Sequence, residues 1–481
     1  MTIREIVGFF LIWGLVSISS SSAATRYVNV SNATQAAPYT NWAMAATAIQ
    51  PAIDEATSGD EILVAPGIYR ISHFVEIPEA KTLMLRSTLS REAVLDAQGL
   101  CPGVSIRGSG SVFEGFTVQN GVGGGITVGA ICTVRDCLVR WNQAYGGGGI
   151  FFYYPGVVAD STIQSNLATY WGGGVAFNDT TGRLVRCVIR DNLASNYAGG
   201  VACQYGGTVS NCWIFNNRAI AGDGGGCHLS QGGELVNSVV AGNSAGNTGG
   251  GVFSSGPDLV FSPVINCTIV SNAAAIRAGG VEAGYNTRLL NDIIYFNAAP
   301  TNANLYNHND YSIVSNCCVT PDFGWPNLTN APAFVDAGAG DFRLATASFC
   351  IDAGTTNGAP GTDIDGNLRP RIGMPRVELP DPLPPQCDMG AYEYGFHFND
   401  IRFTSSNTVQ LRWDVQNQGI YKLDVETNGT LSAPWITNIV VFTNAGLMPG
   451  QFMVHTQTVV IADPPVPVKS NFRLRISRYF L

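Results

Sequence analysis

The sequence predicts an all-β protein built as a right-handed, single-stranded parallel β-helix solenoid of about 25 residues per coil. A Gly-Gly pair followed by an apolar residue recurs at Ile126, Ile150, Val175, Val201, Cys227, Val252 and Val281, in steps of 24, 25, 26, 26, 25 and 29 residues. An asparagine recurs in register at Asn142, Asn166, Asn192, Asn217, Asn243, Asn272 and Asn297, and Asn120 reads as one more, closing an earlier coil. Val139, Ile163, Ile189, Ile214, Val240, Ile269 and Ile294 form a β-branched column; Val134, Val158, Leu184, Val209, Leu235, Val264 and Leu289 form an apolar one. Period-two alternation of β-branched residues marks strands. Short strands with Gly turns at this spacing mark coils stacked about 4.8 Å apart by parallel pairing. A propeller blade needs about 40 residues or more, and no leucine-rich consensus is present.

The columns explain otherwise odd residues. Stacked asparagines can bond one another's amides and the turn backbone. The Gly pairs are expected to supply backbone conformations closed to other residues. Cys137, Cys187, Cys212 and Cys267 share a column with Ser161, Ser238 and Asp292. They therefore read as reduced, buried thiols packing a turn, with a Cys187–Cys212 bridge as the alternative. The chain has 56 Gly yet is 46% apolar and only 13% charged, which excludes disorder. A net charge of −9 without a basic run argues against nucleic acid as a partner.

At the N-terminus Arg4, the apolar run Ile6 to Ile18 and the small residues Ser19 to Ala24 read as an export signal over residues 1–24, cut after Ala23 or Ala24. An uncleaved anchor is the alternative, although the run is short for a membrane span. The mature chain is expected to be secreted or at the cell surface, with no membrane span. Residues 25–345 form the solenoid. Residues 42–56, rich in Ala and amphipathic, read as a helix capping its open end, with Pro51 kinking it or starting its second half. A strand at 61–64 follows. The runs VQLRW, YKLDVE, IVVFT, TVVIA and FRLRIS within 396–481 predict a small antiparallel β-sandwich, with Trp413 and Trp435 in its core.

The residues after each Gly-Gly apolar position, Thr127, Phe151, Ala176, Ala202, His228, Phe253 and Glu282, should point outward, since apolar neighbours flank them. Two residues on lie Tyr153, Asn178 and Gln204, and the preceding turns add Trp141, Tyr145, Tyr170, Trp171 and Tyr197. Rings stack on sugar faces and amides read hydroxyls. Phe151, Tyr153, Tyr170, Trp171, Asn178, Tyr197, Gln204 and Phe253 are therefore candidate glycan-binding residues, turn packing between coils being the other reading. Asp223, His228 and Glu282 are the candidate catalytic groups. His228 and Glu282 are two coils, roughly 10 Å, apart, near the upper limit for an inverting glycosidase pair. Asp223 would orient His228 or share its acid–base role. Solvated surface carboxylates and a polar surface His are the plainer reading of the same three.

The stretch NWAMAATAIQPAIDEATSGDEILVAPGIYR, with VLDAQG at 94–99 and FEGFTVQNG at 113–121, resembles the N-terminal cap and early coils of the pectin-lyase-like β-helix superfamily. That resemblance spans residues 25–395 and implies the fold. The superfamily holds lyases, hydrolases, epimerases, adhesins and proteins without known chemistry, so it does not imply one activity. SFCIDAGT, DIDGNLRPR and CDMGAYEY resemble the choice-of-anchor Q module, placed at 346–395. Cys350 and Cys387 sit in corresponding motifs of that module, so a disulfide between them is expected. Asp363, Asp365 and Asn367 resemble part of a calcium loop without its distal Glu; an Asp/Asn/Gly turn is the main reading, and no cofactor is otherwise expected. The outward columns lack the Asp cluster and the Arg or Lys base of a calcium-dependent pectate lyase. The sequence thus predicts an extracellular glycan-binding protein, with a polysaccharide lyase or glycoside hydrolase as the alternative.

Overall fold

The computed structural model describes residues 23–394 apart from 179–180, 258–259, 309–311 and 370–385, together with six backbone strands between 398 and 479. Successive coils add strands in chain order to three parallel sheets of twelve, ten and eleven strands. The two predicted columns are ladders. Val134 pairs with Val158 and so on to Leu289 in the twelve-stranded sheet. Val139 pairs with Ile163 and so on to Ile294 in the eleven-stranded one. All are fully buried in one core that runs the length of the solenoid.

The asparagine ladder forms as expected. Asn192 N and Nδ2 both donate to Asn217 Oδ1 (3.0 and 2.9 Å), while Asn217 Nδ2 donates back to Ile189 O (2.9 Å). The same pattern runs from Asn142 to Asn297. Asn120 is not a member. Gln119 pairs with Arg140, so Gly121 occupies the ladder position and donates to Asn142 Oδ1 (2.8 Å). Asn120 instead donates to Asp96 Oδ1 (2.8 Å).

The Gly pairs serve space rather than backbone angle. From the second pair on, the left-handed residue is the one before the pair, with φ +61° at Gly147 and +56° at Ala198; in the first pair Gly124 itself has φ +114°. A Cβ on Gly174 would stand 2.8 Å from Gly200 O and 2.9 Å from Asn192 Nδ2. The pair must be bare because the asparagine ladder lies against it.

All twelve cysteines are buried free thiols. Those of the Cys/Ser/Asp column act as hydroxyl surrogates: Cys212 N donates to Ser238 Oγ (3.0 Å), and Cys187 N donates to Cys212 Sγ (3.4 Å). Burial pushes the Cys137 thiol up to about 12. The expected Cys350–Cys387 disulfide is not formed. Cys350 packs beside Cys318 in an apolar cluster, while the Cys387 thiol meets Thr355 O at 3.2 Å.

The cap is shorter than expected. Trp42–Met44 is a single 3-10 turn capped by Asn41, and the helix is Ile49–Glu55, with Pro51 in its first turn where its missing N–H is harmless. Ile49, Ala52 and Ile53 close the core.

Residues 334–369 and 386–394 fold back along the eleven-stranded sheet. Phe342, Ala391 and Tyr392 pack on Val239 and Val270, with Trp213 and Ala241 beside them. A second asparagine column in left-handed turns, Asn211, Asn237, Asn266, Asn291 and Asn316, donates to backbone carbonyls of Asp363, Thr362, Asp388, Thr355 and Ala353. Upstream, the same column carries Asp136, Asp160 and Arg186, paired as Arg91–Asp136 (3.1 Å) and Arg186–Asp160 (2.7 Å). Arg369 ties the module together, bonding Glu393 Oε1 (2.8 Å), Asn237 Oδ1 (3.0 Å) and Gly390 O (2.9 Å). Beyond it, strands Phe398–Ser405, Thr408–Val415 and Met453–Val460 form one antiparallel sheet; Ile436–Asn444, Gly419–Thr427 and Phe472–Tyr479 form another. The core roles expected of Trp413 and Trp435 lie outside the described residues.

Candidate functional site

The outward column of the ten-stranded sheet runs Glu76, Ser105, Thr127, Phe151, Ala176, Ala202, His228, Phe253, Glu282, Tyr306, in the expected register with two more residues at its start and one at its end. It is not uniformly exposed. Ala176 is fully buried, and so is Glu282 at 0%. A fourth sheet of six short strands, from Gln143–Gly146 to Ala273–Ala274, lies in the chain between the asparagine ladder and the Gly pairs, and the turns after it lie against the column: a Cβ on Gly147 or Gly172 would stand 3.1 or 2.9 Å from the Ala176 Cβ. A signal for this sheet was present: Ala144, Ala168, Ala194, Ala219, Ala245 and Ala274 stack as a column of small residues.

This ribbon, the turn at Tyr197 and the ten-stranded sheet bring the rings together. Tyr145 stacks on Tyr170 (centroids 5.3 Å, 7°), Tyr170 meets Tyr197 edge-on (5.7 Å), Tyr197 meets His228 (5.5 Å), and His228 stacks on Phe253 (4.7 Å, 14°). Phe151 joins from the side, against Tyr153 (4.5 Å) and Trp171 (5.7 Å). Tyr145 and Tyr153 are 68% and 56% exposed, and Asn178 and Gln204 are exposed on the same strand ends. Trp141 lies instead under the Arg140 guanidinium, 4.1 Å from its ring.

At the end of this line the charged groups gather. Glu282 receives Arg277 Nε (3.1 Å) and Nη2 (2.8 Å), and its Oε1 lies 2.5 Å from His308 Nε2. The Arg277 guanidinium sits 4.5 Å over the Tyr306 ring, and Tyr306 meets His308 edge-on. Arg277 is bridged to Thr248 and Thr301 across neighbouring coils. Asp223 accepts from Thr248 N (3.1 Å), Thr248 Oγ1 (2.9 Å) and Asn247 Nδ2 (2.7 Å). Of the expected trio, His228 and Glu282 share a column with Phe253 between them, and Glu282 is a buried ion-pair partner rather than a solvated acid. Tyr306 and His308 were not foreseen because their coil replaces Gly-Gly with Ala303-Asn304 and so drops out of the repeat, and Arg277 lies in the turn before Gly279-Gly280, off the outward columns. Asn304 there ends the asparagine ladder, accepting from Asn297 N at 3.1 Å.

Burial pulls the His228 imidazole down to about 4, against the opposing pull of Asp223, so it is neutral at pH 7. An unfolded imidazole near 6.5 takes up a proton that the folded one refuses until about 4, so stability is lost as pH falls through that window, by up to about 3 kcal/mol. His228→Phe is expected to flatten the decline in urea midpoint between pH 6.5 and 4 relative to wild type. Parallel declines would show that His228 is solvated.

The Asp363 carboxylate accepts from Asn367 N (2.7 Å), Asn367 Nδ2 (2.9 Å) and Glu393 N (3.0 Å), the pattern of a closed turn. Among the described residues no group of three or more His, Cys, Asp or Glu is arranged to hold a metal, and no helix is long and apolar enough to cross a membrane.

A polar ladder, a continuous core and an external face of rings define a parallel β-helix protein. Residues 101–245 match the family model of the right-handed β-helix region. Among solved structures, the chain is similar to the pectate lyase Pel9A, at 16% identity over 78% of this chain and 97% of that one, with a TM-score of 0.54. It is also similar to a rhamnogalacturonan lyase, at 13% identity over 70% and 97% of the two chains, with a TM-score of 0.38. No curated protein matches the sequence.

Proposed function

We propose that this is an extracellular or surface-exposed protein that lays a polysaccharide along the ring line from Tyr145 to Phe253. The observation that supports this most is the continuity of that line across five successive coils, with exposed rings at one end and amides beside it. Sugar rings stack on such faces, and Asn178 and Gln204 are placed to bond hydroxyls. The same coil architecture occurs in the pectate lyase Pel9A, in keeping with a polysaccharide partner. The export signal and the choice-of-anchor Q type module read in the sequence support a location outside the cell. Affinity electrophoresis of the mature chain against a polysaccharide panel tests this. Tyr145→Ala and Tyr170→Ala are each expected to weaken retention up to about tenfold, since a stacked ring contributes about 0.5–1.5 kcal/mol. Unchanged retention in both would overturn it.

A second reading, cleavage of the bound chain, is supported by the charged cluster at the end of the ring line. His228 shares its outward column with Glu282, whose carboxyl oxygens are bonded by Arg277 and His308. Release of reducing ends or unsaturated uronate by wild type, lost in His228→Phe with retention intact, would make the protein an enzyme. Retention without turnover leaves binding alone.

A further inference from the structure

We propose that the peptide bond between Ala23 and Ala24 is where the export leader is removed, and that the α-ammonium created at Ala24 is the second cation of a buried carboxylate pocket around Asp60. Two cuts satisfy the small-residue pattern before a leader cleavage site, one after Ser21-Ser22-Ala23 and one after Ser22-Ala23-Ala24. The structure separates them.

Asp60, in the turn before strand Glu61–Val64, is 1% exposed. Its Oδ2 accepts from Arg26 Nη2 (3.0 Å), Arg26 Nε (3.2 Å), Thr57 N (2.8 Å) and Thr57 Oγ1 (3.2 Å). Its Oδ1 accepts from Ala24 N at 2.7 Å. Ala24 O in turn accepts from Glu61 N (2.9 Å), at the start of the edge strand Thr25–Val28. Ala23, by contrast, is exposed.

A cut after Ala24 deletes both contacts, leaving Asp60 Oδ1 and Glu61 N without these partners at the solenoid's open end. A cut after Ala23 keeps both and turns the amide contact into a charge-assisted one. Hydrolysis by an export endopeptidase adds one water: the hydroxyl goes to the Ala23 carbonyl carbon and the hydrogen to the Ala24 nitrogen, which then takes up a proton. A buried carboxylate is tolerated when it is paired and hydrogen-bonded. Arg26 serves one of its oxygens, and the new ammonium serves the other. Burial pushes the Asp60 carboxyl up, but hydrogen bonds from Thr57, Ala24 and Arg26 overcome this and hold it below its ordinary range.

The test uses the full chain exported with its leader. Terminal sequencing and intact mass are expected to show Ala24 as the first residue; Thr25, or a retained leader, would overturn the proposal. The mature chain is then compared with the same chain acetylated at its α-nitrogen, which keeps the N–H and removes only the charge. An α-amine paired with a carboxylate has its pKa raised above about 8, so its contribution is full below that pH and is lost as pH rises through the folded value. The acetylated chain is expected to melt about 2 °C or more lower at pH 6, with the gap closing above pH 8. Equal melting at pH 6, or a gap that does not change with pH, would show that Asp60 does not depend on the ammonium.

Discussion

Arg277→Leu is expected to lower the unfolding free energy by about 3–5 kcal/mol, the usual result of stranding one member of a buried ion pair. Glu282 is 0% exposed on the outward column of the ten-stranded sheet, covered by Arg277 and His308. Arg277 supplies two of its nitrogens to that carboxylate and also covers the Tyr306 ring. Without it Glu282 keeps only His308 among these partners. The double variant Arg277→Leu/Glu282→Leu should recover most of the loss, because an apolar pair of similar volume replaces a buried ion pair at little cost. Urea unfolding of both variants checks this. A single variant as stable as wild type would mean that the carboxylate is solvated, and the buried charged end of the ring line would have to be abandoned.

Asn217→Leu is the second large effect, with a loss of about 3 kcal/mol or more. The side chains share branching and heavy-atom count, but methyl groups are bulkier than the amide oxygen and nitrogen they replace, so overpacking adds to the loss. What is lost is the acceptor for Asn192 N and Asn192 Nδ2 and the donor to Ile189 O. Each buried polar group left without its partner costs about 1–3 kcal/mol. The damage should be local, because each coil contacts its neighbours. Amide exchange in the coils carrying Asn192 and Asn217 is expected to speed up, while exchange near Ile62 and Leu85 stays slow. Uniform acceleration along the whole solenoid would mean that the ladder is not a chain of nearest-neighbour bonds. Asn142→Leu should lose less, since it leaves only Gly121 N and Val118 O without partners at the ladder's first step.

Much of the scaffold was legible because a solenoid converts sequence period directly into spatial contact. The residues 24–29 positions apart that line up in the sequence are the ones that pair, and the register of Thr127 to Glu282 held without a one-residue slip. The errors cluster where the repeat degenerates or where a second layer covers it. Asn120 fell one position off the ladder because its coil lacks the later Gly-Gly spacing. Ala176, Ala202 and Glu282 are buried all the same: alternation tells inward from outward, and outward is not the same as solvated when neighbouring turns and side chains lie over the face.

By itself the sequence determined the coil length, the sheet columns, the asparagine and cysteine ladders and the residues of the outward face, because each follows from periodicity and side-chain direction along a strand. Only the tertiary structure decided which of those outward residues touch. Arg277 and His308 reach Glu282 from the next turn and the next coil. The rings of Tyr145 to Phe253 join because the line passes from the ribbon, at Tyr145 and Tyr170, to the ten-stranded sheet, at His228 and Phe253. The terminal module finds Asn237 and Asn266 over separations of more than a hundred residues. Such contacts depend on how layers pack across the chain, and a one-dimensional pattern carries no term for that.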